Sequence, residues 1–197
     1  MIGMILMQTG CEPKPKQPAQ NPTATFELAD GKTFVVEFFP EYAPNTVNNF
    51  ISLAQSGFYS GTVFHRILPD LIIQGGGIAE DDAQPGNYYE KHVGYSIKGE
   101  FASNGFKQNT LKHERGVIST ARTMEPDSAG SQFFIMMDSH PSWDGVYAAF
   151  GKVISGMETV DFINQYYLEN GFEGEIPKIK SVTVETFGEK YPGPKKV

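Results

Sequence analysis

Three polar side chains sit inside strand-like, apolar stretches: Arg66 after Phe64-His65, Gln74 after Ile72-Ile73, and Gln132 before Phe133-Phe134. Glutamine is uncommon in such surroundings unless its amide has a fixed partner, and an arginine pressed between aromatic and apolar residues is poorly placed for a purely solvated life. These residues can donate and accept hydrogen bonds, but they offer no nucleophile. Other chemistries find no support. The four histidines, at 65, 92, 113 and 140, lack zinc-type spacing and acidic companions. Gly75-Gly76-Gly77 is not followed by the Lys-Ser/Thr of a phosphate loop. Ser131 lies in Gly-Ser-Gln, not in the Gly-x-Ser-x-Gly elbow of hydrolases. Cys11 is the sole cysteine, so an internal disulfide and a cysteine metal site are both excluded.

Positioning such groups requires rigid elements. Phe26 and Leu28, then Phe34, Val36 and Phe38, alternate with polar neighbours on either side of Asp30-Gly31. That pattern predicts a hairpin with a tight primed turn. Pro44 suits a first helical turn, and Val47, Phe50, Ile51 and Ala54 recur at three and four residues, with Gly57 as C-cap. A second helix is expected from Ser155, at capping-box distance from Glu158, with Met157, Val160 and Ile163 as its buried stripe. The remaining candidates are short strands: 63–64, 72–73, 95–97, 116–121, 132–136, 148–153 and 182–184. Many short strands and two helices predict a mainly β fold, a closed eight-stranded antiparallel β-barrel capped by two α-helices.

Three segments carry a specific resemblance. Gly57-Phe58-Tyr59-Ser60-Gly61 with Phe64-His65-Arg66-Ile67 and Ile73-Gln74-Gly75-Gly76 form the first. Ala121-Arg122 with Gly130-Ser131-Gln132-Phe133-Phe134-Ile135 form the second, and Asp144-Gly145 with Ala149-Phe150-Gly151-Lys152-Val153 the third. In order and spacing they resemble the signatures of cyclophilin-type peptidyl-prolyl cis-trans isomerases, over about residues 23–187. Resonance gives an X-Pro amide a barrier of about 18–20 kcal/mol, and spontaneous exchange takes roughly tens of seconds or longer. At the twisted transition state the prolyl nitrogen regains a lone pair that one fixed donor can stabilise, so no cofactor or metal is required.

The resemblance implies Arg66 as that donor, with Gln74 orienting its guanidinium. It implies a proline pocket lined by Phe134 and Ile72 with Leu71 beside them, Gln132 and the Ala121-Arg122 backbone holding the client chain, and His65 at the mouth as an auxiliary contact. Trp143 and Tyr147 depart from the family pattern: Ser142 falls where many eukaryotic members have a rim Trp, Trp143 replaces a Leu, and Tyr147 replaces a His. Leu71 falls where Phe is frequent, Gly77 where Asp is usual, and 78–93 diverges from the Gly-rich loop. Proline-containing polypeptides are the implied partners, with weak cyclosporin binding because of Ser142. A peptide-binding module that does not catalyse would lose Arg66 or Gln74, and both are present.

Of 197 residues, 40% are apolar, enough for one core, and the net charge is -7. Glu12, Lys14 and Lys16 before residue 23, and Glu189, Lys190, Lys195 and Lys196 after 188, leave a surplus of positive charge outside a more acidic body. Such a body argues against nucleic acid as a partner. Residues 23–188 are expected to be the domain, working as a monomer, and 189–197 a flexible tail. Residues 1–22 read as an apolar run, Gln8-Thr9-Gly10-Cys11, and a Pro-rich linker. This resembles a bacterial lipoprotein signal, in which Cys11 is lipidated and tethers the domain outside the cytoplasm. The short run, its lack of basic residues, and Gln8 leave a cytoplasmic chain with an incidental Cys11 as the alternative.

Overall fold

The computed structural model describes residues 20–81, 84, 86–170 and 177–197; the signal-like segment with Cys11 lies outside the described residues. The strands are β1 (Thr23–Leu28), β2 (Thr33–Phe38), β3 (Arg66–Leu68), β4 (Ile72–Gly75), β5 (Ile78–Glu80), β6 (Tyr88–Glu90), β7 (Val117–Thr120), β8 (Phe133–Met136), β9 (Ala149–Ser155) and β10 (Ile179–Glu185). The helices are α1 (Pro44–Gln55) and α2 (Met157–Asn170). Eight strands make one antiparallel curled sheet in the order β10-β1-β2-β9-β7-β8-β4-β3, and β5 pairs with β6 apart from it. The edge strands β10 and β3 share no ladder. They meet through the isolated Val63–Lys178 bridge and bonds such as Ile179 N to Thr62 O at 2.8 Å. "Closed" is thus slightly too strong for this barrel, whose seam is stitched by residues flanking the strands.

Alternation in β1 and β2 sends Phe26, Leu28, Phe34, Val36 and Phe38 inward, all buried. Phe26 stacks on Phe34 with centroids 4.4 Å apart, and Phe50 from α1 reaches this cluster and packs on Tyr59 at 4.8 Å. The β1–β2 turn is not the primed form expected. Gly31 N donates to Leu28 O at 3.0 Å, and Gly31 alone in the loop takes positive φ (84°). A primed type I′ turn would need it at two consecutive residues.

Helix α1 begins at Pro44, as anticipated, and ends in a Schellman motif: Gly57 N donates to Ala54 O and Phe58 N to Leu53 O, each at 3.0 Å. Its N-terminus is capped from afar. The buried Glu100 carboxylate accepts from the backbone N–H of Asn45 (3.0 Å) and of Thr46 (2.7 Å) and from the Thr46 hydroxyl (2.8 Å). An anion fits the positive end of the helix dipole. Helix α2 starts later than expected, because Ser155 is consumed as the last residue of β9, where it pairs with Val35. Gly156, at φ 76°, makes the turn instead.

The segment 95–97 is not a strand of the main sheet; Ile97 makes isolated bridges to Ala129 and to Lys196. Residues 195–197, expected to be flexible, are fastened to the body. Asn45 donates to Lys195 O (3.0 Å) and accepts from Lys195 N (2.7 Å), and Val197 N donates to Ser96 O (2.9 Å). The amide of Asn45 satisfies both backbone groups of Lys195 at once, which local sequence around Lys195 does not reveal.

Candidate active site

Strands β3, β4, β8 and β7 lie side by side, and their register puts Arg66 opposite Gln74, Gln74 opposite Phe134, and Phe134 opposite Ser119. Residues in one such row project from the same face of the sheet. The adjacent row, Ile67, Ile73, Ile135 and Ile118, belongs to the barrel interior. Ile72, Val117, Phe134, Met136 and Ala149 form a second apolar cluster, against which Leu71, Leu111, Ala121, Trp143 and Tyr147 pack. The site is therefore built on the outer face of the wall whose inner face is core.

On that face Arg66 Nη1 donates to Gln74 Oε1 at 3.0 Å, and Gln74 Nε2 donates to Gln132 Oε1 at 2.8 Å. The relay fixes the exposed guanidinium beside Phe134. Glycine is required nearby: a Cβ on Gly77 would collide with the Gln132 side chain, and one on Gly76, at φ 82°, would come within 2.7 Å of Ser131 O. Gly77 thus lies in close contact with the Gln132 side chain. A cavity of about 370 Å³ opens beside the relay, lined by Arg66, Ile72, Gln74, Ala121, Arg122, Phe134, Trp143 and Tyr147. Its aromatic wall is close-packed: Phe134 meets Trp143 edge-on at 5.4 Å and Tyr147 at 5.6 Å. Arg122 lies 4.7 Å from the Tyr147 ring centroid and 5.0 Å from that of Phe101, donating to Val146 O and Thr123 O. It anchors its loop by cation–π contact and main-chain bonds. An aromatic wall beside an arginine held by Gln74 suits a pyrrolidine ring and a donor to its nitrogen.

Residues 23–188 match the model of the family described as cyclophilin type peptidyl-prolyl cis-trans isomerase/CLD. The chain belongs to that family. It is 38% identical over 163 residues to peptidyl-prolyl cis-trans isomerase B of Bacillus subtilis, covering 83% of this chain and 98% of that one. Against isomerase A of Dickeya dadantii identity is 45% over 133 residues, 65% of this chain and 64% of the relative's length. A Cryptosporidium parvum cyclophilin-type isomerase solved in the presence of the dipeptide Ala-Pro superposes with a TM-score of 0.61 at 30% identity, covering 83% of this chain and 99% of that one. The protein is an isomerase of X-Pro peptide bonds.

Of the residues expected in the isomerase site, Arg66, Ile72, Gln74, Ala121, Arg122, Phe134, Trp143 and Tyr147 surround one cavity. Leu71 sits in the supporting cluster, and Gln132 reaches the cavity through Gln74. His65 is half-buried and lies outside the cavity lining. Burial, aided by repulsion from Arg66, holds its imidazole below the usual histidine range.

His113 was missed; in the sequence it counted only as a histidine without zinc spacing. Its fully buried ring lies behind the aromatic wall, 6.1 Å from Phe134, 6.4 Å from Trp143 and 6.3 Å from Tyr147 between centroids. Nε2 is 3.1 Å from Ser119 Oγ and Nδ1 is 3.3 Å from Asp144 Oδ1, which also accepts from His113 N at 2.8 Å. Burial pushes the His113 pKa down, against the opposing pull of Asp144. For Asp144 burial acts upward, but the bonds from His113 and Lys112 outweigh it and hold the carboxylate low.

A histidine depressed in the fold binds its proton more readily when unfolded, so stability is unaffected above about pH 6.5 and falls as pH drops below it. The urea midpoint should decrease between pH 7 and pH 5, above the range in which Asp144 titrates, and His113→Gln should reduce that decrease. An equal loss in wild type and variant would remove His113 from this role.

Proposed function

We propose that Arg66 is the catalytic donor, its Nη group hydrogen-bonding the prolyl nitrogen as the amide twists, and that Gln74 holds it in aim. The observation carrying this reading is the 3.0 Å bond from Arg66 Nη1 to Gln74 Oε1, beside Phe134 in the same cross-strand row. Among the described residues Arg66 is in no ion pair, so no carboxylate draws its charge from the cavity. The proline ring sits against Phe134, Ile72, Trp143 and Tyr147, with Leu71 behind. Gln132 and the Ala121-Arg122 backbone hold the client, and His65 contacts it at the mouth.

A charge-assisted hydrogen bond of about 1.5–3 kcal/mol supplies roughly 10- to 100-fold in rate. The rest comes from gripping the twisted form more tightly than either planar one. Arg66→Ala should therefore lower kcat/KM at least about tenfold on a proline peptide, with the circular dichroism of wild type. A folded variant with normal kcat/KM would remove Arg66 from the role.

The clients are proline-containing polypeptides during folding, and the isomerase acts as a monomer. Cys11 is lipidated, and the Pro-rich segment after it tethers the domain at a membrane outside the cytoplasm. In detergent phase separation of cells making the full chain, wild type should enter the detergent phase and Cys11→Ala the aqueous phase. Equal partitioning would favour the cytoplasmic alternative.

Cyclosporin binding is weak. In tight-binding relatives a rim Trp covers part of the macrocycle and donates its indole N–H, whereas Ser142 offers a hydroxyl and little area. Trp143 packs against Phe134, Tyr147 and His140 and is thereby committed to the wall of the cavity. Loss of such an anchor costs about 2 kcal/mol or more, roughly 30-fold in Kd. Titration should show Ser142→Trp binding more tightly than wild type; nanomolar binding by wild type would overturn the expectation.

A further inference from the structure

The chain enters the domain on the same rim of the barrel as the proline cavity. Pro22 O accepts from Phe38 N at 2.9 Å, and Phe39 N donates to Phe150 O at 2.8 Å, so β1, β2 and β9 lie side by side at the entry. Tyr147, in the cavity wall, stands three residues before Phe150. Two strand spacings of about 4.8 Å across and three residues of about 3.3 Å along place Pro22 roughly 15 Å from Tyr147. The ground between is bordered by Phe39 and by Glu41, whose carbonyl accepts from the Gln108 side chain, and then by Leu111 of the cavity's supporting cluster.

Ahead of this entry the sequence carries Pro13, Pro15 and Pro18. At full extension Pro18 reaches roughly 13 Å from Pro22, Pro15 roughly 23 Å and Pro13 roughly 30 Å. Pro15 and Pro13 can therefore enter the cavity, which lies just past Tyr147, whereas Pro18 falls short. The charges suit this route. The cavity is lined by Arg66 and Arg122. The entry is bordered by Glu37, which accepts from Asn21 Nδ2 at 3.1 Å, and by Glu41, one of whose carboxylate oxygens has no hydrogen-bond partner among the described residues. With Pro13 seated, Glu12 adjoins the arginines while Lys14 and Lys16 trail back toward the glutamates. Lys107, beside Gln108 in sequence, is an opposing charge there.

We propose that residues 12–15 are a resident client of the isomerase: the chain folds back along this rim, seats Pro13 or Pro15 in the proline cavity, and competes intramolecularly with outside clients. This rests on the isomerase reading above, because it assumes that the cavity takes an X-Pro bond. A tether of such length holds its end at about millimolar effective concentration, so a cavity that binds a proline peptide at about 1 mM is about half filled by its own segment. The segment lies outside the catalytic relay, so its prolines can be replaced without touching Arg66 or Gln74.

The test uses the full chain carrying Cys11→Ala, so that no lipid restrains the segment, with isotope-labelled proline and NMR exchange spectroscopy. In one sample the labelled chain has Arg66. In the other, labelled chain with Arg66→Ala is mixed with unlabelled chain that has Arg66, at the same concentration of active sites, so that only intermolecular turnover is seen. At about 0.1 mM protein, isomerisation at Pro13 and Pro15 should be about tenfold faster in the first sample, and at Pro18 equal in the two. Replacing both Pro13→Ala and Pro15→Ala should raise kcat/KM on a capped X-Pro peptide about twofold through KM, with kcat unchanged. Equal rates in the two samples at all three prolines, or an excess at Pro18 as large as at Pro15, would overturn the proposal, as would an unchanged KM in the double variant. Failure of the chain with Arg66 on the capped peptide would instead overturn the catalytic reading.

Discussion

The register of β3, β4, β8 and β7 is the constraint on which the site depends. Because side chains alternate along each strand, one row of this wall faces the barrel interior and the next faces outward, toward the cavity. Arg66, Gln74 and Phe134 share the outward row, while Ile67, Ile73 and Ile135 share the inward one. A slip of one residue in β3 or β4 would bury a guanidinium or an amide and expose an isoleucine. The apolar energy that holds the core thus also enforces the geometry of the outward row that carries Arg66 and Gln74. Stacked and edge-on contacts among Phe26, Phe34, Phe50 and Phe133 stiffen the wall from behind.

Upon that wall the proposed chemistry depends on orientation more than on reactivity. A free arginine side chain samples many rotamers, and ordering it at the moment of the twist would take back part of the hydrogen bond's benefit. The Gln132–Gln74–Arg66 relay meets that cost in advance, during folding. The absence of a side chain at Gly77 is part of the same device, since a Cβ there would displace Gln132. Behind the aromatic wall His113 serves the opposite end of the cavity. It is neutral and buried, bridging Ser119 on β7 to Asp144 beside Trp143, and so joins the sheet to the loop that supplies Trp143 and Tyr147.

Helix α1 has two jobs on two faces. Val47, Phe50, Ile51 and Ala54 plug the barrel. Its polar edge, Asn45 and Asn49, organises the chain around the groove, and its N-terminus is held by Glu100. The helix that secures the core therefore also sets the shape of the surface beside the proline cavity.

The sequence by itself determined what depends on periodicity and local chemistry. Alternation located the strands around Phe26 and Phe34, short apolar runs those around Ile73 and Phe134, three-and-four spacing located the buried stripe of α1, and the matched segments named Arg66, Gln74, Gln132 and Phe134. Tertiary structure alone decided what depends on partners distant along the chain. Ser155 has a helix-capping pattern, yet β9 claims it through pairing with Val35, more than a hundred residues earlier. The β5–β6 hairpin lies in a stretch without clear alternation and is defined by pairing of Ala79 with Tyr89. Leu111 and His113 join the cavity's support only because β7 packs beside β8. Residues 195–197 are fastened through Lys195 by an asparagine 150 residues away. Each of these outcomes is fixed by satisfying backbone and polar groups across the fold, a condition no local window of sequence contains.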